Sequence, residues 1–309
     1  MNASATELAA QRVLIAMPGC EAAAMRLAVP LSTEQGHAAV SRFPDGESYV
    51  RLCTPVRGAE VAIFCTLDHP DTKLLPLLWL AIAAREGGAH RVGLIAPYLA
   101  YMRQDAVFHA GEIRAAEHFA GLLDGVFDWL VTVEPHLHRI PSLSDIYRMP
   151  TRTVEAAPAI AAWINTHVQA PFLIGPDDES RQWVEQVAGI CKAPWATLSK
   201  TRHSAWHVEV ADLPEIPPQC VPVLVDDIVS TGRTMLTTAQ HLRAAGLPPP
   251  VCIAVHAVFA ANAYRELCAV SSDVATCDTI PHPSNQIALT EPLASAVSSM
   301  FELQLRASA

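Results

Sequence analysis

Strand-length apolar runs recur along this chain with longer helical stretches between them, and that alternation constrains the fold more than any other feature. VLIAM (13–17), VAIFC (61–65), VGLIA (92–96) and WLVTV (129–133) open the series, and FLIG (172–175), VPVLV (221–225), VCIAV (251–255) and VATC (274–277) repeat it. Uninterrupted runs rich in Val, Ile and Leu suit strands covered on both faces, as in parallel sheets flanked by helices. The rhythm predicts an α/β fold of two similar units in series, each a mostly parallel sheet with flanking helices. A length of 309 residues fits two domains. The pattern breaks in RMPTRTVEAAP, which puts the boundary near 150 and gives domains over 1–150 and 151–309. Helices are expected over 71–86, stopped by Gly87 and Gly88, and over 234–245. A last helix within 290–309 is able to pack back on the first domain.

Bulk properties exclude several classes of partner. The formal charge of −10 disfavours a general nucleic-acid binder, whose affinity comes from cations on the phosphate backbone. The longest apolar run, Leu74 to Ala84, falls short of a bilayer span, and MNASATELAAQR lacks a basic-then-apolar leader. A cytoplasmic protein without membrane or nucleic-acid partners is expected. The eight cysteines include no C-x-x-C pair and sit in or near apolar runs, so they read as small buried hydrophobes.

The segment that carries chemistry is VLVDDIVSTGRTM (223–235). An apolar strand delivers Asp226 and Asp227 to its carboxyl end, where open α/β sheets build ligand sites. Ser230, Thr231 and Thr234 offer hydroxyls, Gly232 permits close backbone approach, and a following helix opens near Thr234 with amides that attract phosphate. Paired carboxylates would repel that anion unless they hold sugar hydroxyls or a hydrated metal. Ribose 5-phosphate satisfies both halves of the loop.

This segment resembles the phosphoribosyl diphosphate signature of the type I phosphoribosyltransferase fold. Along most of its length the chain resembles the ribose-phosphate diphosphokinase family, in FPDGE (43–47), DTKLLPLL (71–78), APYLAYMRQD (96–105), VTVEPHLHR (131–139), IGPDDES (174–180), SKTR (199–202) and DTIPHP (278–283). The resemblance implies two tandem type I phosphoribosyltransferase-like domains, dependence on Mg²⁺, and transfer of diphosphate from ATP to the C1 hydroxyl of ribose 5-phosphate. It also implies a homo-oligomer, dimer or hexamer, because Phe43, Asp45 and Glu47 match a loop that reaches a neighbouring subunit's ATP site. Arg103, Gln104 and Asp105 match a run lining the nucleotide site. His136 matches a histidine that contacts metal and ATP, with His138 its ambiguous neighbour, and Asp177 matches a carboxylate that holds Mg²⁺. Lys200 and Arg202 match cations over the transferring group. Asp226, Asp227, Ser230, Thr231, Gly232, Arg233 and Thr234 fall on the ribose 5-phosphate loop. Asp71 and Lys73 open the 71–86 helix, whose first amides are placed to cradle pyrophosphate.

Four places depart from the family pattern. Ser230 replaces an acid, Arg233 a glycine, Asp178 to Ser180 a glycine-rich run, and Ala106 a position that is commonly basic. Two other readings therefore stay open: a catalytically silent regulatory subunit, and a phosphoribosyltransferase that consumes phosphoribosyl diphosphate.

Overall fold

The computed structural model describes residues 11–177, 180–198, 200–202, 208–210 and 214–303, with 200–202 and 208–210 described by their backbone. The chain divides into two units, Met1–Val154 with Thr290–Ala309, and Glu155–Leu289.

The first unit runs β1 (Arg12–Ala16), α1 (Glu21–Leu31), β2 (Glu34–Gly36), β3 (Ala38–Arg42), β4 (Ser48–Leu52), β5 (Glu60–Phe64), α2 (Pro70–Glu86), β6 (Arg91–Ala96), α3 (Ala115–Asp124), β7 (Trp129–Val133) and β8 (Thr151–Val154). Six strands form one parallel sheet in the order β2-β1-β5-β6-β7-β8, while β3 and β4 form a separate antiparallel hairpin. Every residue of β5, β6 and β7 is buried, as expected for a sheet with helices on both faces. Helix α2 contributes Leu77, Leu80, Ala81 and Ala84 to the core that contains Val61, Ile63, Val92 and Leu94.

The second unit repeats the plan: α4 (Ala157–His167), β9 (Pro171–Gly175), α5 (Arg181–Cys191), β10 (Trp195–Thr197), β11 (Lys200–Arg202), β12 (Val208–Val210), β13 (Val221–Val229), α6 (Arg233–Ala244), β14 (Val251–Ala257), α7 (Ala263–Val270), β15 (Asp273–Cys277) and β16 (Asn285–Ile287). Its parallel sheet has the order β10-β9-β13-β14-β15-β16, and β11 and β12 form a hairpin at the position in the chain order that β3 and β4 hold in the first unit. The final helix, α8 (Thr290–Glu302), packs on α1, β7 and β8 of the first unit. Among the described residues no helix is long and apolar enough to cross a membrane.

Two expectations need correction. β13 does not end at the acidic pair: its ladder with β14 continues through Asp226↔Ala254 and Ile228↔His256 to Val229. Backbone pairing with a buried neighbour carries the strand past the point where apolar letters stop. The cysteines are not uniformly buried, since Cys53 and Cys268 are exposed and Cys191 is half-buried.

Gly93 shows how tightly the first sheet is filled. It pairs with Trp129 across β6 and β7, and a methyl group at Gly93 would overlap the indole ring, which is itself buried. Gly93→Ala should destabilise the protein by about 1–3 kcal/mol, the usual cost of forcing extra volume into a filled core. Urea unfolding of the variant beside the parent measures it.

Candidate functional site

In the second unit, β13 and α6 carry the acidic and phosphate-loop residues. Gly232 occupies the N-cap of α6 at φ +64, a left-handed conformation that costs glycine nothing and a β-carbon residue much more. The loop is fixed by Ala260 N–H, which donates to the Ser230 carbonyl, and α6 is anchored by buried Met235, Thr238 and Leu242. Thr231 and Arg233 are exposed, and Ser230 and Thr234 half-buried, so the first turn of α6 meets solvent. Among the described residues no carboxylate is paired with Arg233. A cation at a helix N-terminus opposes the helix dipole, and an anion bound there would reverse that penalty.

Asp226 and Asp227 are half-buried, and the Asp227 N–H donates to Asp226 Oδ1 at 3.0 Å. Asp177 lies just past the carboxyl end of β9. Its Oδ1 accepts from the Ser180 N–H at 3.2 Å, while Ser180 Oγ donates to the Asp177 carbonyl at 2.6 Å. Ser180 is buried against Gly175, where any side chain would collide with its hydroxyl. Burial, and then the charges of Asp227 and Asp177, push the Asp226 carboxyl well above the usual carboxylate range. Crowded carboxylates with hard oxygen donors fit a small divalent cation such as Mg²⁺. Lys200 and Arg202 lie on β11, and their side chains fall outside the described residues, as do Asp178 and Glu179.

In the first unit, the β3–β4 turn presents Phe43, Asp45 and Glu47, all exposed. Phe43 N–H donates to the Glu47 carbonyl, Glu47 N–H donates to Asp45 Oδ1 at 3.1 Å, and the Phe43 ring meets Tyr49 edge-to-face at 5.9 Å. Arg42, at the base of the turn, donates to the Thr72 carbonyl at 3.1 Å. Asp71 and Lys73 both have protein partners. The Tyr101 hydroxyl donates to Asp71, and Lys73 Nζ donates to the Thr66 carbonyl at 3.0 Å and to Asp68 at 2.5 Å. The bond to Asp71 is the main reason the Tyr101 phenol is pushed up to about 12.

After β6, Arg103 is exposed and Gln104 half-buried. Asp105 differs from both: at 2% exposure it is turned inward, accepting from Arg139 Nη1 at 3.0 Å and from the Arg139 N–H at 3.2 Å. Asp105 therefore acts on its surroundings through Arg139, a residue to which the sequence assigned no role. His136 and His138 come together, with Nδ1 of the first 3.0 Å from Nε2 of the second, one donating and the other accepting.

Residues 12–126 match the family model described as the N-terminal domain of ribose phosphate pyrophosphokinase, and residues 143–293 match the phosphoribosyl transferase domain. The chain is 32% identical to the ribose-phosphate pyrophosphokinase of Methanopyrus kandleri over 278 residues, covering 89% of this chain and 94% of that one. It is 30% identical to that of Sulfolobus acidocaldarius over 254 residues, covering 81% and 86%. The crystal structure of phosphoribosylpyrophosphate synthetase from Mycobacterium smegmatis shares the fold with a TM-score of 0.85 at 24% identity, covering 94% of this chain and 99% of that one.

Proposed function

The chain belongs to the ribose-phosphate pyrophosphokinase family, whose activity is phosphoribosyl pyrophosphate synthesis, and on that premise we propose that it transfers diphosphate from MgATP to the C1 hydroxyl of ribose 5-phosphate. The products are 5-phosphoribosyl 1-diphosphate and AMP. The observation that carries the reading is the β13–α6 segment, where two half-buried carboxylates stand just ahead of a left-handed glycine at a helix N-terminus.

In this reading the 5-phosphate sits on the amides of 231–234 with the hydroxyls of Ser230, Thr231 and Thr234 and the Arg233 guanidinium around it. Asp226 and Asp227 hold the ribose hydroxyls. Arg103 and Gln104 bind the donor nucleotide, with Asp105 steadying Arg139 nearby. The C1 oxygen attacks the β-phosphorus, the bond to the α-phosphate oxygen breaks, and no covalent enzyme intermediate forms. Lys200 and Arg202 neutralise charge on the transferring group, since such transfer depends on positioning and electrostatics. His136 and Asp177 are the residues assigned to hold Mg²⁺ and the donor phosphates. When bound, Mg²⁺ supplies charge neutralisation for the crowded carboxylates and the donor phosphates. Phe43, Asp45 and Glu47 complete the nucleotide site of a neighbouring copy in a homo-oligomer, and the enzyme works in the cytoplasm.

The test is ³¹P NMR of the purified protein with ATP, Mg²⁺ and ribose 5-phosphate. AMP appearing together with phosphoribosyl diphosphate supports the reading, and no turnover with both ligands bound overturns it. Lys200→Ala should lower kcat on the order of a hundredfold with little change in KM, because the cation is needed mainly in the transition state. An unchanged kcat removes that role.

A further inference from the structure

Two of the bonds described above meet at one turn of helix. Asp71 and Thr72 are neighbours in the first turn of α2, and each accepts from a different segment: Asp71 from the Tyr101 hydroxyl, and the Thr72 carbonyl from Arg42 Nη2 at 3.1 Å. Both donors lie 30 residues from their acceptors, one before the helix and one after it. The receiving turn is itself fixed. Pro70 opens the helix, His69 caps it at φ +50, and Thr72 Oγ1 donates to the His69 carbonyl at 2.9 Å.

Tyr101 sits at φ +64, in the left-handed region that a β-carbon disfavours. A residue stays there only where its surroundings over-determine it. The ring packs on Phe119 with centroids 4.8 Å apart, the hydroxyl is taken by Asp71, and Ala100 and Met102 on either side are buried. Immediately beyond, Arg103 turns out to solvent, and the Gln104 N–H donates to the Tyr101 carbonyl at 3.3 Å. The direction in which Arg103 and Gln104 leave the loop is thus set at Tyr101. Arg42 plays the same part for the other segment, because it directly precedes Phe43 and the exposed 43–47 turn.

We propose that Tyr101 and Arg42 are positioning residues that, through Asp71 and Thr72, hold the Arg103–Gln104 run and the 43–47 turn in a fixed relation within one copy. This deepens the diphosphate-transfer reading and rests on it. Each nucleotide site of the assembly takes one of these segments from each of two copies, so the first turn of α2 links one site to the next. Releasing either donor weakens nucleotide binding and spares ribose 5-phosphate, which the second unit holds.

The test is calorimetric titration of the Mg²⁺-loaded protein with α,β-methylene-ATP, in which the bond that transfer breaks is blocked. Tyr101→Phe removes the hydroxyl and keeps the ring, and should weaken binding on the order of tenfold, the usual loss for a hydrogen bond to a charged group. Its Tm and its affinity for ribose 5-phosphate should stay close to the parent values. Asp71→Ala should match it, and Asp71→Asn, which keeps an acceptor oxygen, should retain most of the affinity. Arg42→Met should weaken binding a fewfold. The double variant Tyr101→Phe with Arg42→Met should lose less than the product of the single losses, because the second substitution acts on a turn already released. Unchanged affinity in Tyr101→Phe overturns the proposal, and so does a double variant whose loss equals that product. A parent that binds the analogue but forms no AMP from ATP and ribose 5-phosphate overturns the transfer reading alone and leaves these comparisons intact.

Discussion

Asp226→Asn is expected to make the metal-free protein more stable at neutral pH while lowering kcat on the order of a thousandfold. The two effects have one cause. Burial and the charges of Asp227 and Asp177 raise the Asp226 carboxyl, so the folded state holds its proton more tightly than the unfolded chain does. The stability that this group contributes is fully present below the unfolded value, about 3.9, and is lost as pH rises through the folded one. At neutral pH the raised carboxyl therefore costs the fold stability, and an asparagine of the same shape removes that penalty. Its amide oxygen keeps the acceptor position that Asp227 N–H uses. A gain in Tm of roughly 2–4 °C corresponds to about 1 kcal/mol in a chain of this size. The difference should shrink toward pH 4 and should narrow or reverse on adding Mg²⁺, which stabilises only the form that binds it. Thermal melts across pH, with and without Mg²⁺, read all of this. A variant less stable than the parent at every pH without metal would show that the carboxylates are not in conflict.

How much of this could be read in the sequence depends on whether the relevant groups are contiguous. WLVTV coincides with β7 at both ends because both faces of that strand are buried and the apolar letters stop where the strand does. The edge strands β2 and β16, each three residues long, contain Glu34, Gln35, Asn285 and Gln286 and leave no apolar run to find. The β3–β4 hairpin is half-exposed, with burial alternating along β4, so its strands are invisible to a search for continuous runs although its turn, FPDGE, is not. The phosphate loop was legible because strand, acids, hydroxyls and glycine follow one another within 13 positions. The link between Asp105 and Arg139 spans 34 residues, and nothing in either letter announces it.

Arg91→Met is expected to destabilise the first unit by about 3–5 kcal/mol, the usual consequence of stranding one member of a buried ion pair. Arg91 and Glu60 are 8% and 6% exposed, and Arg91 Nε donates to both carboxylate oxygens of Glu60, at 3.0 and 2.8 Å. The remaining guanidinium donors serve the end of α8: Nη1 donates to the Leu303 carbonyl at 2.7 Å and Nη2 to the Phe301 carbonyl at 2.8 Å. Terminal carbonyls of a helix lack partners within it, and a basic side chain there satisfies them and favours the dipole. The same turn places Phe301 edge-to-face with Trp129 at 5.5 Å and beneath the Arg12 guanidinium at 5.0 Å. A single guanidinium thus fastens the last helix to the amino ends of β5 and β6, through acceptors that are backbone oxygens and carry no signature in the sequence. Methionine matches the apolar stem but leaves Glu60 buried with, among the described residues, only the His90 cation site nearby, at 3.8 Å, and leaves the α8 carbonyls without the Arg91 donors. Adding Glu60→Gln should recover part of the loss, because the stranded charge is gone while the helix end stays unsatisfied. A non-additive double-mutant cycle by guanidinium unfolding is the expected result. If Arg91→Met unfolds within 1 kcal/mol of the parent, α8 is held by its apolar face alone.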